Sequence, residues 1–392
     1  MMVLASTETK GSDKKIKKDF ILLEVKTDLT TKEIALPLEP SQLVYCNIAR
    51  NERTVPGEDE SEAVSLDQGD MIYIFAPTFN KNTSVDYKKY TFLRIDKNGV
   101  IKENFTIDAP SPNLVITGFE QAKDGSIYIC GSYSKEKETF DQMFKEYSPI
   151  VNPCYTGGVN YRMDTYESKT EKVPMDFFTI LKIKEGKVEW LKSTSIEDLA
   201  KLIKTPEKQK GVPSYTGKRF RIEYFNVSEK GDIFISGQLL GRVKIGDNMV
   251  TSYKELVCFQ ISSTGEVKAQ YGIKTESIDE KLNTLFPIAQ AFVSSDNGSV
   301  LFWNIMEVKT IKGYAGFSDA YNGSPTFYAN YNPSMVKINT ASNKIEDYKA
   351  IGDRKFMVNK TVPYIYNKTD KSIYYIGGDK EKTLWLAKYT MN

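Results

Sequence analysis

Two short phrases recur along the 392-residue chain and helical periodicity is scarce. Together they predict an all-β fold of repeated four-stranded antiparallel units, a β-propeller. The first phrase is a polar turn with Gly, Asp or Lys followed by a strand. It reads DQGDMIYIFAP from Asp67, KDGSIYICGS from Lys123, EKGDIFISGQ from Glu229, SDNGSVLFWN from Ser295 and TDKSIYYIGG from Thr369. The second is strand, tight turn, strand. It reads YTFLRIDKNGVIKENFTI from Tyr90, FFTILKIKEGKVEWLKS from Phe177, ELVCFQISSTGEVKAQY from Glu255 and SMVKINTASNKIEDYKA from Ser334, with a stub, TLWLAKYT, from Thr383. The runs are rich in Ile, Val, Tyr and Phe, which suit a half-buried pleated surface.

Residues 1–19 are polar and lysine-rich and read as a flexible tail, and residues 20–392 as a single propeller domain. Each unit runs through strands a, b, c and d. The a strands are GFEQA from Gly118, YFNVS from Tyr224, QAFVS from Gln290 and PYIYN from Pro363. Gly125, Gly231 and Gly298 fall where the a–b turn needs a positive φ, and Gly99, Gly186 and Gly265 do the same between c and d. The last unit stops at strand c. The N-terminal strands FILLEVK from Phe20 and KEIALPL from Lys32 are therefore expected to close the ring, with LVYCNIA from Leu43 as a further strand. Six blades are expected, one of them irregular, with five and seven as the neighbouring counts. A helix is expected over Ser195 to Lys204 with Ser195 as its cap, and a weaker one over Glu138 to Glu146. The stretch between Lys192 and Arg221 has room for an extra strand pair.

The pairing of DGSIYICGS with FTILKIKEGKVEWLKS resembles the bacterial β-propeller repeat. In that repeat a glycine-turned DG-x-hydrophobic strand precedes a K-x-D-x-x-G-x-hydrophobic-x-W hairpin. The resemblance covers residues 67–392, best from Gly118 to Ser193 and most loosely in the unit from Gln290. Richness in Tyr, Lys, Asn and Ile makes the chain similar to uncharacterised exported propellers of Bacteroidetes-type bacteria. That implies an extracytoplasmic place if a signal has been removed, and a cytoplasmic one otherwise. The repeat speaks for the fold and says almost nothing of function.

Composition removes several chemistries. With no histidine there is no His triad, His base, His zinc ligand or His pH switch. Cys46, Cys130, Cys154 and Cys258 lie far apart without a CxxC pair, against a zinc ribbon or thioredoxin-like site. The net charge of +2 gives no general drive toward nucleic acid or anionic membrane. No apolar run is long enough to span a bilayer. A monomer without cofactor, metal or catalytic set is expected.

The connections carry the functional signal. Alternating strand direction puts a–b and c–d turns at one end of each unit and b–c and d–a connections at the other. The turns are short. The b–c connections are long near Thr78, over 133–176, near Leu240 and over 304–333, and such loops are uncommon unless functional or disordered. Two are aromatic. The first reads YSPIVNPCYTGGVNYRMDTY, with Tyr155, Tyr161 and Arg162 as candidate contacts beside Tyr147 and Tyr166. The second reads GYAGFSDAYNGSPTFYANYNP, with Tyr314, Tyr321, Tyr328 and Tyr331 beside Phe317 and Phe327. Tyr with Gly, Ser and Asn is the palette of binding loops, and the same rings would also pack the loops down on their own sheets.

Catalytic alternatives are thinner. SSDNGS, with Ser294, Asp296 and Gly298, matches part of the Asp-box of sialidase-like propellers, but Val300 and Leu301 break the pattern and the run sits at an a–b turn. Asp164, Asp176, Glu307 and Asp319 would supply a carboxylate pair, and Lys309 and Lys312 flank the second aromatic loop; no spacing draws them together. Asp96 with Asn98, or Asp296 with Asn297, is sparse for calcium. Cys130 and Cys258 read as small core groups. GKRFRIE from Gly217 is a short basic-aromatic stretch. The expected function is a non-catalytic propeller that binds a protein or a glycan through its long-loop face. The alternatives are a His-free carbohydrate-active hydrolase or lyase and a structural module of an envelope assembly.

Overall fold

The computed structural model describes residues 2–10, 16–38, 43–48, 70–77, 86–96, 98–122, 124–135, 175–217, 220–228, 230–245, 248–274, 288–295, 298–309, 330–352, 357–358, 364–367, 369–378 and 383–391. The fold is all-β, built of antiparallel sheets, with one six-residue helix among the described residues. Contacts divide the chain into two units, 1–52 with 64–196 and 53–63 with 197–392.

The first unit holds three sheets. Strands β1 (Met2–Lys10), β2 (Ile16–Val25) and β3 (Thr31–Ala35) form a three-stranded meander. Next come β4 (Leu43–Ile48), β5 (Met71–Ala76), β6 (Lys89–Ile95) and β7 (Ile101–Asp108), hydrogen-bonded in chain order. The third is β8 (Val115–Gln121), β9 (Ile127–Tyr133), β10 (Phe177–Lys184) and β11 (Lys187–Ser195), again in chain order. The expected a, b, c and d strands thus pair as read, and Leu43–Ile48 is strand a of the first complete unit. Residues 2–10, within the stretch read as a tail, lie in β1, which pairs with β2 from Met2↔Glu24 to Lys10↔Ile16 in a continuous backbone ladder.

The second unit opens with the helix α1 (Ile196–Lys201) and β12 (Ile203–Lys204). The helix begins where expected but stops early. The chain then forms one short strand, parallel to β16 (Val267–Ile273), rather than a strand pair. That sheet continues through β13 (Phe220–Val227), β14 (Ile233–Ile245) and β15 (Asn248–Ile261). The next four-stranded meander is β17 (Ala289–Ser294), β18 (Val300–Lys309), β19 (Asn330–Asn339) and β20 (Lys344–Ala350). A two-residue strand, β21 (Met357–Val358), joins β19 to the last group, β22 (Ile365–Asn367), β23 (Ser372–Gly378) and β24 (Leu384–Thr390). The weaker helix expected near residue 140 lies outside the described residues.

Period-two alternation sends successive residues of each b strand to opposite faces. In β5, Ile72 and Ile74 pack with Val115, Ile129 and Leu181 of the following sheet. Met71, Tyr73 and Phe75 pack with Phe20 and Leu22 of the N-terminal sheet. In β18, Leu301, Trp303 and Ile305 meet Cys258, Tyr271 and Ile273, while Phe302 and Met306 meet Ile373 and Tyr375. A strand apolar on both faces is thereby buried on both.

The repeated turns carry glycine for a conformational reason: Gly125, Gly231 and Gly298 have φ of 81°, 81° and 62°. A second repeated glycine has a steric one. Strand a bulges opposite strand b in two sheets, between Ile116 and Gly118 and between Ile222 and Tyr224. A Cβ on Gly131 would stand 2.3 Å from the Val115 carbonyl oxygen, and one on Gly237 would stand 1.8 Å from that of Arg221. Gly131→Ala is therefore expected to cost about 3 kcal/mol by forcing the backbone apart. Gly125→Ala, whose Cβ meets nothing within 4 Å, is expected to cost about 1 kcal/mol of positive-φ strain. Urea-unfolding midpoints of the two variants measure both.

Candidate functional site

The site is built from the sheet ends that carry the b–c connections. Two of these connections are hairpins more than loops. The stretch near Leu240, expected as a loop, continues β14 and β15 as a ladder from Leu240↔Tyr253 to Ile245↔Asn248. Its sequence, LLGRVKIGDNMVTSYKEL, keeps strand-compatible residues through that length, and register shifts between Gln238 and Leu240 where it leaves the body of the sheet. Likewise β18 and β19 stay paired out to Lys309↔Asn330, which shortens the insertion read over 304–333 to residues 310–329. The insertion read over 133–176 begins after Tyr133 and ends at Phe177.

Tyr331 lies in β19, opposite Val308 on one side and Val358 of β21 on the other. Tyr155, Tyr161, Arg162, Tyr314, Tyr321 and Tyr328 lie outside the described residues, as do Tyr147, Tyr166, Phe317 and Phe327. The structure does describe the bases from which both aromatic insertions spring.

At the base of the first, the Tyr133 and Phe177 rings stack at 4.8 Å with 14° between planes. The Lys135 ammonium lies 5.5 Å from the Phe177 centroid, and the Asp176 carboxylate accepts the Lys135 backbone N–H at 2.6 Å. Beneath them Asn113, fully buried, ties the preceding d–a connection to the end of strand b. Its Nδ2 donates to Ser134 Oγ at 2.7 Å, and its Oδ1 accepts the Ser134 N–H at 3.2 Å and the Ser111 hydroxyl at 2.7 Å. In a sheet interior such a closed set of hydrogen bonds fixes the loop's point of departure.

At the base of the second, β21 joins two strand groups of one eight-stranded sheet: Tyr331 pairs with Val358, and Val358 with Gly377. Below it lie Tyr364, Tyr375 and Asn304, all buried, with the Tyr375 hydroxyl donating to Asn304 Oδ1 at 3.0 Å. Elsewhere in the second unit Gln238 holds the start of β17, its Oε1 accepting the Ile288 N–H at 2.6 Å. These buried amides escaped the sequence reading. Their signal was a lone amide inside an apolar run, as in ISGQLL, VLFWNIM and VKAQYGI.

The other candidates resolve into structure. Of the four carboxylates, Asp176 is engaged with Lys135; Asp164 and Asp319 lie outside the described residues, and Glu307 and Lys309 are placed as backbone of β18. Lys312, Cys154, Asp296 and Asn297 also lie outside them. Asp96 accepts the N–H groups of Asn98 and Val100 at 2.8 and 2.9 Å, the work of a turn residue. No group of three or more metal-ligating side chains exists among the described residues. In GKRFRIE, Arg221 donates to the Tyr253 hydroxyl at 2.6 Å and Phe220 packs edge-on against Phe259. No described helix is long and apolar enough to cross a membrane.

Burial raises the hydroxyl pKa of Tyr90, Tyr271, Tyr364 and Tyr375 far above neutrality, which leaves none of them poised as a base. It also pushes the Cys130 thiol up to about 12 and the Cys258 thiol still higher.

No family model matches the chain, and no curated protein does. Among solved structures, a protein of unknown function from Bacteroides caccae is similar at 11% identity, over 99% of this chain and 93% of that one, with a TM-score of 0.29. The β-propeller domain of the Trilobed protease from Pyrococcus furiosus is similar at 8% identity, over 100% and 90%, with a TM-score of 0.28. A Cellvibrio cellulosa α-L-arabinanase is similar at 9% identity, over 97% and 94%, with a TM-score of 0.24.

Asn113→Ala leaves the buried Ser134 N–H and hydroxyl without their amide partner and is expected to cost about 2–3 kcal/mol, read by chemical unfolding. In a chain with Cys46→Ser and Cys154→Ser, a thiol-reactive disulfide reagent at pH 8 is expected to label neither Cys130 nor Cys258 in the native state. Both should react on denaturation; native labelling at the unfolded rate would contradict the burial.

Proposed function

We propose that the chain is a six-bladed β-propeller, closed by its N-terminal strands, whose b–c face binds a protein partner or a glycan without catalysing a reaction. The observation that carries this reading is the inequality of the two sheet ends. At one end, most a–b and c–d turns are tight, the exception being the a–b connection over residues 49–70 between β4 and β5. At the other, the connections are long, two of them run out on extended hairpins, and two carry a Tyr, Gly, Ser and Asn composition. Rigid aromatic rings give large contact area at small entropic cost, and small polar residues adapt around them. The base of the first aromatic insertion is hydrogen-bonded and stacked and that of the second is held by strand pairing, which favours presenting the rings from a fixed platform. The first unit holds three sheets and the second a five-stranded and an eight-stranded one, the latter made of two strand groups joined through β21; these six groups support the count of six blades. With this reading go a monomer and an extracytoplasmic compartment, the latter resting on the resemblance of the repeat.

The test is a glycan-array screen of the purified chain beside a variant with Tyr321, Tyr328 and Tyr331 changed to Ala, together with a pull-down. Binding by the parent chain is expected to fall at least about tenfold in the folded triple variant, the loss of a small aromatic hot spot. Retention of full affinity by that variant would move the site elsewhere. Turnover of a bound glycan would replace the reading with the hydrolase or lyase.

A further inference from the structure

Three buried glutamines of the second unit use both polar atoms of their amide. Gln238 accepts from Ile288 N–H at 2.6 Å and donates to the Lys254 carbonyl at 2.9 Å. Gln270 accepts from Tyr215 N–H at 2.7 Å and donates to the Leu199 carbonyl at 2.8 Å. Gln260 accepts from the Tyr271 hydroxyl at 2.6 Å and donates to the Thr340 carbonyl at 3.0 Å. Asn304 departs from the pattern. It is 1% exposed, and its Oδ1 accepts from Tyr375, yet its Nδ2 has no protein partner. The hydroxyl of Tyr364, 3% exposed, has none either.

The two groups share a neighbourhood. Ile365 pairs with Tyr374, so the antiparallel register extended by one step sets Tyr364 opposite Tyr375. Their ring centroids are 6.4 Å apart, and both rings pack with Met306, Met335 and Val358 against the sheet that carries Asn304. The Tyr375 hydroxyl already reaches Asn304 Oδ1, and the amide nitrogen is bonded to the same carbon. An amide donor, a phenol that donates and accepts, and the remaining lone pair of Tyr375 thus belong to one apolar cluster. Buried polar groups without partners cost about 1–3 kcal/mol each, and internal water meets this need when 2–4 polar partners surround it.

We propose that this cluster is the binding site of a single internal water molecule, a hydrogen-bonded pin between β18 and the segment that enters β22. Asn304 and Tyr364 are closed off from solvent, so a sugar from solution does not reach them. The pin ties the strand group that carries the second aromatic insertion to the last strand group of the same eight-stranded sheet. It stands independently of the binding reading, since it concerns the platform and not the ligand.

The test is a crystal structure of the full chain at a resolution that shows ordered water. Density is expected within about 3.2 Å of both Asn304 Nδ2 and Tyr364 Oη. A direct bond between those atoms, or a protein carbonyl on each, would overturn the proposal. In solution, oxygen-17 relaxation dispersion counts long-lived internal waters. Tyr364→Phe, which keeps the ring, is expected to lose one from that count or to shorten its residence time at least about tenfold. An unchanged count and residence time in the folded variant would equally sink it.

Discussion

Everything in this protein depends on strands that are apolar on both faces. A single antiparallel sheet with one wet side would alternate apolar and polar residues. In β5 and β18 both registers of the alternation are apolar, and each register meets a different neighbouring sheet. No one sheet could remain alone in water with such strands exposed, since each fully buried Ile, Phe or Met side chain is worth about 1.5–3 kcal/mol. Stacking is therefore the condition under which the repeat folds at all.

Apolar stacking by itself is non-directional and would tolerate sliding of one sheet over the next. Direction comes from polar groups buried between the sheets. Gln238 binds the start of β17, Gln260 binds the carbonyl of Thr340 in the following sheet, and Asn304 takes the hydroxyl of Tyr375. In the first unit Asn113 holds the end of β9 in the same manner. Each bond is satisfied in one relative position of its partners and leaves a desolvated group in any other, so the staples turn greasy contact into a fixed offset.

The repeat was legible because its constraints are local. The Gly125, Gly231 and Gly298 turns and the two-faced b strands follow from backbone sterics and period-two alternation, which sequence records residue by residue. The insertion lengths were less so. The connection near Leu240 reads as a loop, yet cross-strand pairing carries the ladder past Gly241. Residues 2–10 read as a tail because Glu8, Lys10 and their neighbours are polar, whereas the backbone hydrogen bonds that hold β1 leave no mark on composition. The candidate aromatic residues were chosen from composition, and of them Tyr331 has a place in the ladder. The buried amides went unnoticed since a Gln in a strand looks the same whether it faces water or a neighbouring sheet.

The difference between the two sheet ends has a physical origin in strand c as well as in the glycines. Just before the c–d turn the register shifts in four sheets, at Arg94/Ile95, Lys182/Ile183, Gln260/Ile261 and Lys337/Ile338. A bulge at one position in each of these four sharpens the local twist and sets the angle at which strand d departs. Arg94, Lys182 and Lys337, which precede the bulge, pair with Glu103, Glu189 and Glu346 on strand d. In the sheets β4–β7 and β8–β11 the c–d turn is thereby specified by a glycine, a bulge and a cross-strand charge, and an inserted residue there would disturb all three. At the opposite end the strands simply run on until pairing stops, at Ile245↔Asn248 in one sheet and Lys309↔Asn330 in another. Nothing there fixes the length of the connection, so that end can accept new sequence without loss of the fold, and a surface free to vary on a rigid base is where recognition can be built.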